Sequence, residues 1–209
     1  MHHLRHKIAA MTVELYSALF TFALVTVITP GPNNLMLMAS GANFGFRRTV
    51  PHMLGIGLGM PVMVVMVGIG IMQIFDRWPM SYTILKVASV AYLLYLAWRI
   101  ANSAAPKNAE AGGKPLTFLQ SAAFQWVNPK AWTMALSAIT LYATSRDLTA
   151  VLWVAGTYVM VSCVSTTSWT VLGQQMRRIL KNQTRLKTFN ITMALLLVAT
   201  LIPVLWPNT

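Results

Sequence analysis

Long apolar runs separated by short polar segments dominate this chain. Four stretches contain no charged residue at all: 15–46, 49–75, 148–176 and 188–209. Each reaches or exceeds the roughly 20 residues that a helix needs to cross about 30 Å of hydrocarbon. Two further apolar stretches contain a single lysine each, Lys86 within 79–98 and Lys130 within 118–143.

This pattern predicts an all-α membrane protein with six transmembrane helices. The spans are expected at about 14–39, 50–74, 79–98, 118–143, 148–172 and 188–206. The segment 101–116 is rich in Ala, Gly, Pro and Lys and is predicted to be a mobile cytoplasmic connector. Residues 11–209 are expected to form a single transmembrane transporter domain, and residues 1–10 a disordered N-terminal extension.

The connector divides the predicted spans into two sets of three, and proline interrupts the first span of each set. Pro30 and Pro32 fall within span 1, and Pro129 falls within span 4. Because three crossings are an odd number, the second set enters the membrane from the opposite side. The sequence therefore predicts two inverted three-helix repeats with broken helices 1 and 4. In transporters, such paired breaks mark the binding site near the bilayer midplane.

The formal net charge is +12, and the position of the basic residues along the chain is more informative than their number. The basic residues lie in short loops beside apolar spans, so the positive-inside rule explains them and no nucleic-acid partner is expected. With six crossings one face holds Arg47, Arg48, Arg99, Lys107, Lys114, Arg177, Arg178, Lys181, Arg185 and Lys187. The other face holds Arg5, Lys7, Arg77 and Arg146. The richer face is predicted to be cytoplasmic, which places both termini in the periplasm.

The motif "TPGPNN" at 29–34 predicts a true interruption of span 1. A proline has no amide hydrogen, so Pro30 and Pro32 free the carbonyls of Thr26 and Ile28. Each proline also displaces the residue before it from helical geometry. Thr29 is expected to cap the resumed helix, with Pro30 at its first position.

Such a break offers amides for a carboxylate and carbonyls for an ammonium group or another cation. We interpret it as a small zwitterion-binding site. Gly31 permits close approach, and Asn33 and Asn34 supply side-chain hydrogen bonds. A kink that only shapes helix packing is the alternative.

The second break, "QWVNPKAW" at 125–132, places Lys130 inside an apolar span. A lysine at the centre of a membrane helix costs roughly 2.5–3.5 kcal/mol on insertion scales. It can meet a substrate carboxylate, a freed carbonyl or a lipid phosphate, and substrate binding and structural pairing both stay open. The candidate substrate-binding residues are Thr29, Pro30, Gly31, Pro32, Asn33, Asn34, Gln125, Asn128, Pro129 and Lys130.

Three weaker features accompany the breaks. Gly55 and Gly59 lie one helical turn apart and predict close helix packing. His52 is interpreted as an interfacial structural residue, with proton relay as the alternative. One side of span 5 carries polar groups that either line a path or bond back to the preceding turn. These are Ser162, Ser165, Thr166 and Trp169.

Several function classes lack the residues that they require. All four acids lie at predicted span ends or in loops, and the chain has one cysteine, Cys163. The sequence therefore has no close carboxylate pair for hydrolysis and no metal-ligand spacing. It also has no nucleotide-binding loop. We expect no enzyme activity, no cofactor and no bound metal, and any active transport would be driven by a gradient.

With these motifs established, the sequence resembles the LysE/RhtB family of bacterial inner-membrane amino-acid exporters. The resemblance rests on "TPGPNN" at 29–34, "GFRR" at 45–48 and "GIGLG" at 55–59. It continues through "AYLLYLAWR" at 91–99 and "FQWVNPKAW" at 124–132, and it covers nearly everything from Met11 onward.

The resemblance implies multi-pass export of amino acids or their derivatives from the cytoplasm, with protons as the coupling ion. It also implies a role for residues 29–34 and 128–130. Because no acid lies centrally, a neutral or small polar amino acid is the expected substrate. The expected partners are this substrate and membrane lipids, and a homo-oligomer is left open. The alternative function is a non-transporting membrane scaffold or lipid-handling protein of the same fold.

Overall fold

The computed structural model describes residues 13–103, 113–143, 147–180 and 182–205. The described residues are mainly helical and contain no β-strand, so the predicted all-α class is confirmed. The helices are α1 Val13–Ile28, α2 Pro32–Phe44, α3 Phe46–Gly68, α4 Met72–Arg77, α5 Met80–Ala101, α6 Phe118–Phe124, α7 Pro129–Tyr142, α8 Leu148–Ile179, α9 Gln183–Ala199 and α10 Ile202–Leu205. The proposed extension at 1–10 and most of the connector lie outside the described residues.

Several of these helices are long and apolar enough to cross a membrane. Among the described residues, α3, α5, α8 and the segment Gln183–Leu205 meet this test singly. The pair α1 and α2, bent by 56°, meets it together. A multi-pass membrane protein with four or five candidate spans follows. The sixth crossing stays a prediction, because α6 has seven residues and α7 has 14, and each alone is shorter than a bilayer requires.

Helix boundaries differ from those predicted where a turn or cap intervenes. Span 1 continues to Phe44, and span 2 begins at once on the other side of Gly45. Gly45 has φ of 80°, a left-handed conformation that favours glycine, so the chain turns there without a longer loop. The last span begins at Gln183 rather than at about 188, because the Asn182 side chain caps it by accepting a hydrogen bond from the Thr184 amide at 2.9 Å.

Helix α8 is also longer than predicted, ending at Ile179 rather than at about 172. Its last turn contains Arg177 and Arg178. Cations are stabilising at a helix C-terminus, where the helix dipole is negative. The end of the apolar run therefore did not mark the end of the helix.

The helices pack in pairs that bring the two halves of the chain together. Helix α8 contacts α1, α2 and α3, while α6 and α7 contact α3, and α9 contacts α5 and α2. One apolar cluster joins α1, α3, α7 and α8. A second joins α2, α5, α6 and α9. Large apolar side chains remain exposed on the outside of α3, α5 and α8, as expected for surfaces that contact lipid.

Glycines allow the closest of these approaches. A Cβ atom on Gly55 would overlap the Ser121 side chain and the Phe118 carbonyl, so α3 and α6 touch here. A Cβ atom on Gly59 would lie 2.9 Å from the Ala122 Cα. The predicted packing role of both glycines is confirmed.

Apart from Lys86 and Lys130, the described charges separate to the two ends of the bundle. At one end the rings of Tyr16 and Trp153 lie 6.3 Å apart. At the other, the Phe46 amide donates to the Gln174 side chain at 2.8 Å. The first end, here called the acidic end, holds the described acids and one arginine: Glu14, Asp76, Asp147 and Arg77. The second, the basic end, holds Arg47, Arg48, Arg99, Lys114, Arg177, Arg178, Arg185 and Lys187.

His52 is buried inside the protein. Its side chain is 1% exposed, between α2 and the interior of the bundle. Because α3 begins at Phe46, His52 lies about two turns inside this helix, and its predicted position at the membrane interface stays a prediction.

Candidate functional site

The first break is built by two prolines and a glycine. Helix α1 ends at Ile28, and α2 resumes with Gly31 as its N-cap and Pro32 at its first position. The prediction that Thr29 caps the resumed helix was wrong. Pro32 excludes helical geometry at the residue before it, so Gly31 is extended and the helix cannot start earlier. The Thr29 hydroxyl instead donates to the Thr26 carbonyl at 2.9 Å.

Asn34 holds the two sides of this break together. Its side-chain amide donates to the carbonyl oxygens of Val27 at 2.7 Å and Thr29 at 2.8 Å. The side chain is 4% exposed. One buried asparagine therefore satisfies two carbonyls that the interrupted helix leaves without amide partners.

Helix α8 donates two further hydrogen bonds to carbonyls of the break. The Ser165 hydroxyl donates to the Val27 carbonyl at 3.1 Å, and the Trp169 indole donates to the Ile28 carbonyl at 3.0 Å. The sequence signal was the polar side of span 5. Only Thr166, which donates to Cys163 at 3.4 Å, bonds back along its own helix as the alternative required.

The second break has a different local geometry. Helix α6 ends at Phe124 and is followed by a 3-10 turn at Gln125–Val127. Asn128 caps α7 by accepting a hydrogen bond from the Lys130 amide at 3.1 Å, and Pro129 occupies the first helical position. The carbonyl of Gln125 accepts from the Asn128 amide at 3.2 Å, so the turn uses the carbonyl that the proline releases.

Lys130 joins the two breaks. Its ammonium donates to the Thr29 carbonyl at 2.7 Å, to the Thr29 hydroxyl at 2.9 Å and to the Pro30 carbonyl at 3.4 Å. A Cβ atom on Gly31 would lie 2.7 Å from the Lys130 Cδ, so this approach requires glycine. Of the three partners considered for this lysine, the structure shows the freed carbonyl.

A second contact between the breaks involves two amides. The Asn33 side chain donates to the Gln125 oxygen at 2.9 Å, and the Gln125 nitrogen donates back at 3.1 Å. Gln125 also donates to the Ser121 carbonyl at 2.9 Å. The ten candidate residues thus lie at one junction between the halves of the chain.

Little free space remains at this junction. A cavity of about 20 Å³ lies between the breaks and α8, which is enough for one water molecule. The Ser162 hydroxyl faces it and has no hydrogen-bond partner in the described residues. Thr29 and Pro30 are exposed at the surface. Non-helical backbone is not tolerated against lipid, so this opening faces water or protein. Inside the junction the polar groups of the two breaks bond to one another and leave almost no free space.

No group of three or more His, Cys, Asp or Glu side chains in the described ranges is placed to hold a metal ion. The polar groups at the junction are instead amide, hydroxyl and ammonium donors together with carbonyl acceptors, which suit a small polar molecule that carries both charges.

Comparison with known proteins shows which family contains this chain. The family model described as LysE type translocator matches residues 24–202, which include both breaks. The chain belongs to the LysE-type translocator family. It is accordingly a membrane transporter and not an enzyme.

Relatives of this LysE-type translocator are similar along almost their whole length. Proteins named cysteine/O-acetylserine efflux protein from Escherichia coli strain K12 and Shigella sonnei strain Ss046 are each 33% identical over 193 residues. The alignment covers 90% of this chain and 96% of each relative. No solved structure matches the chain.

Proposed function

We propose that this protein exports neutral or small polar amino acids, or their derivatives, across the bacterial inner membrane by alternating access around the two breaks. The observation that carries the proposal is the position of Lys130. Its ammonium, on one broken helix, occupies the carbonyls of the other, where a substrate ammonium would bind.

The substrate replaces this internal contact with a chemically equivalent one. The amino group of a zwitterion takes the carbonyls of Thr29 and Pro30, and the Lys130 ammonium turns to the substrate carboxylate. Each cation keeps an oxygen partner during this exchange, so no charge is left buried without a partner. Asn33 and Gln125 can release each other's amide groups to the substrate side chain.

The charge distribution favours a substrate without a charged side chain. The described acids lie at the acidic end, and the junction holds no described carboxylate to pair with a cationic side chain. Cysteine and O-acetylserine, after which the relatives are named, are small and have uncharged side chains. We therefore extend that substrate class to this chain.

The packing supports an inverted repeat. Taking α1/α2, α3 and α5 as one set and α6/α7, α8 and α9 as the other, each broken helix packs against the middle helix of the other set. The two middle helices pack together, and so do the two last ones. A rocking motion about this pseudo-symmetry would open the junction to each side in turn. With no nucleotide-binding loop in the sequence, the drive is an ion gradient, with protons as the proposed ion.

The orientation follows from the basic end. Lysine and arginine accumulate on the cytoplasmic side of inner-membrane proteins, so the basic end is placed in the cytoplasm and both termini in the periplasm. A protein facing this way would collect substrate from the cytoplasm at the end where its cations are concentrated.

The test is uptake of a panel of labelled amino acids into inverted vesicles, which corresponds to export from cells, with equal amounts of wild type, Lys130→Met and Lys86→Met. Lys86 is exposed on α5 and serves as the matched control. We expect neutral amino acids to be transported in preference to lysine. Loss of charged hydrogen bonds worth about 1.5–3 kcal/mol should raise the half-saturating concentration of Lys130→Met roughly 10- to 100-fold.

Unchanged transport by Lys130→Met would contradict the proposed site. If wild type moves no amino acid under an imposed proton gradient, the proposed activity is wrong and the scaffold or lipid-handling alternative gains support.

A further inference from the structure

His52 is a buried polar side chain without a partner. It is 1% exposed, and neither ring nitrogen forms a hydrogen bond within the described residues. Buried polar groups are almost always satisfied, and an exception calls for a ligand, a water molecule or a functional role. A neutral imidazole offers one donor and one acceptor. Both are available here.

The unpartnered ring borders a cavity that is separate from the one at the breaks. This inner cavity has a volume of about 100 Å³, against about 20 Å³ for the cavity at the breaks, so it has room for several water molecules. Besides His52, its polar lining comes from Ser40, Asn43, Asn102, Ser103, Arg99 and Lys114. Apolar side chains such as Met36 and Leu96 line the rest of this cavity. It therefore offers a small molecule both polar and apolar contacts.

The cavity is charged at one end only. Arg99 is half-buried at its mouth, donates to the Lys114 carbonyl at 2.9 Å and lies over the Tyr95 ring at 5.9 Å. Its guanidinium makes no other hydrogen bond within the described residues. Lys114 is exposed beside it. None of the described acids lies at this end of the molecule. The mouth therefore attracts an anion and has no described carboxylate to neutralise it.

The inner cavity and the junction cavity are neighbours along the same two helices. On α2, Asn33 lines the junction cavity and Met36 lines the inner one. On α3, Ile56 lines the junction cavity and His52 the inner one. These spacings of three and four residues correspond to about one helical turn, or 5.4 Å. Going from the basic end towards the breaks, the inner cavity comes first and the junction cavity second.

We propose that the inner cavity is a second binding site for the exported amino acid, an access site that it occupies before it reaches the breaks. Arg99 and Lys114 bind the carboxylate at the mouth, and His52 hydrogen-bonds the ammonium or a polar side-chain atom at the deep end. This inference rests on the proposed export function. It adds a second binding site, formed by residues outside the two breaks.

The first test measures transport separately from the two faces. Inverted vesicles present substrate to the basic end, and right-side-out vesicles present it to the acidic end. For His52→Leu and Arg99→Met we expect the half-saturating concentration to rise at least 10-fold at the basic end and to stay within twofold at the acidic end. His52→Gln, which keeps a donor and an acceptor, should restore most of the loss.

Arg178→Met is the matched control, because Arg178 is exposed at the basic end and does not line the inner cavity. Equal effects of His52→Leu at both faces would show a purely structural role and overturn the access site. Normal values for both variants would also overturn it while wild-type export, and with it the proposed function, stands. A wild type that exports nothing removes both proposals.

The second test does not depend on altering His52. The chain has one cysteine, so Cys163→Ser gives a background in which Ser103→Cys can be labelled from the basic end by a membrane-impermeant thiol reagent. The exported amino acid should slow this labelling at least threefold. Thr188→Cys, exposed at the same end, should label at an unchanged rate. An equal labelling rate of Ser103→Cys with and without the amino acid would contradict the proposed access site.

Discussion

The carbonyls of the first break are each bonded to a side chain. Asn34, Ser165, Trp169 and Lys130 donate to carbonyl oxygens that the interruption of the helix would otherwise leave without partners. An unsatisfied group at membrane depth costs several kcal/mol, so these donors are what makes a non-helical segment stable there. At the proposed site, a substrate would have to compete with these donors. The free space is too small to receive an amino acid without displacing at least one.

Trp169→Phe removes a donor and keeps an aromatic ring. The Ile28 carbonyl then loses its 3.0 Å partner, and the unpaired group should lower the free energy of unfolding by about 1–3 kcal/mol. We expect a lower Tm in detergent than for the control Trp153→Phe, whose indole is 53% exposed. Equal Tm values for the two variants would show that the indole hydrogen bond does not stabilise the break.

The Asn33 and Gln125 amides should be energetically coupled. Asn33→Ala and Gln125→Ala each leave the other side chain without its partner, so the double variant should cost less than the two single variants added together. Coupling between polar groups in membrane proteins averages about 0.6 kcal/mol and reaches about 1.7. A double-mutant cycle on the unfolding free energy measures it, and strict additivity would contradict a direct bond.

For individual residues, the sequence located the polar groups of the break, but it did not predict their hydrogen-bond partners. The "TPGPNN" motif located the break, yet the capping role assigned to Thr29 was wrong because Pro32 controls its neighbour. The contact between Asn43 and Asn190, at 2.7 and 3.0 Å, had no local signal beyond an asparagine in an apolar run. Partners 147 residues apart depend on packing that no short motif encodes.

At the scale of elements, backbones approach closely where α3 meets α6 and where α8 meets α2. A Cβ atom on Gly173 would overlap the backbone of Met38, much as one on Gly55 would overlap α6. Both interfaces join a broken helix of one half to the middle helix of the other. Small residues let such surfaces slide without large side chains interlocking, which suits helices that rearrange during transport.

Gly55→Ala and Gly57→Ala form a matched pair on one helix. The new methyl group at 55 meets Ser121 and Phe118, whereas a Cβ atom at 57 has nothing within 4 Å. We expect Gly55→Ala to lose about 1–3 kcal/mol of stability through overpacking. Gly57→Ala should gain roughly 0.5–1 kcal/mol from its better helix propensity. Thermal unfolding of both variants measures these changes in stability. A Gly55→Ala variant as stable as wild type would contradict the close contact between α3 and α6.

Apolar patterning located the helices, but not all their ends. The long apolar runs predicted α3, α5 and α8 because lipid contact requires apolar side chains over a fixed length. The end of α8 and the start of α9 were missed, since arginines at a C-terminus and an asparagine cap extend helices beyond the apolar core. The status of α6 and α7 as one crossing depends on geometry that hydropathy does not contain.

At the scale of the whole molecule, charge is distributed between two ends, and this asymmetry gives a direct test of orientation. In the Cys163→Ser background, Met80→Cys marks the acidic end and Thr188→Cys the basic end, both at exposed positions. We expect an impermeant thiol reagent to label Met80→Cys from the periplasm and Thr188→Cys only in inverted vesicles. The reverse pattern would place the termini in the cytoplasm.

The position of Lys130 has an electrical consequence. Its ammonium lies at the junction, away from both ends of the bundle, so it sits within the field that the membrane potential creates. One elementary charge moved across the full field is worth about 2.3 kcal/mol per 100 mV. In the proposed mechanism the zwitterionic substrate adds no net charge, and rearrangement of the breaks would displace the lysine charge through part of that voltage. Transport of an electrically neutral molecule would then be voltage-dependent, and the resting potential itself would bias which face of the carrier is open.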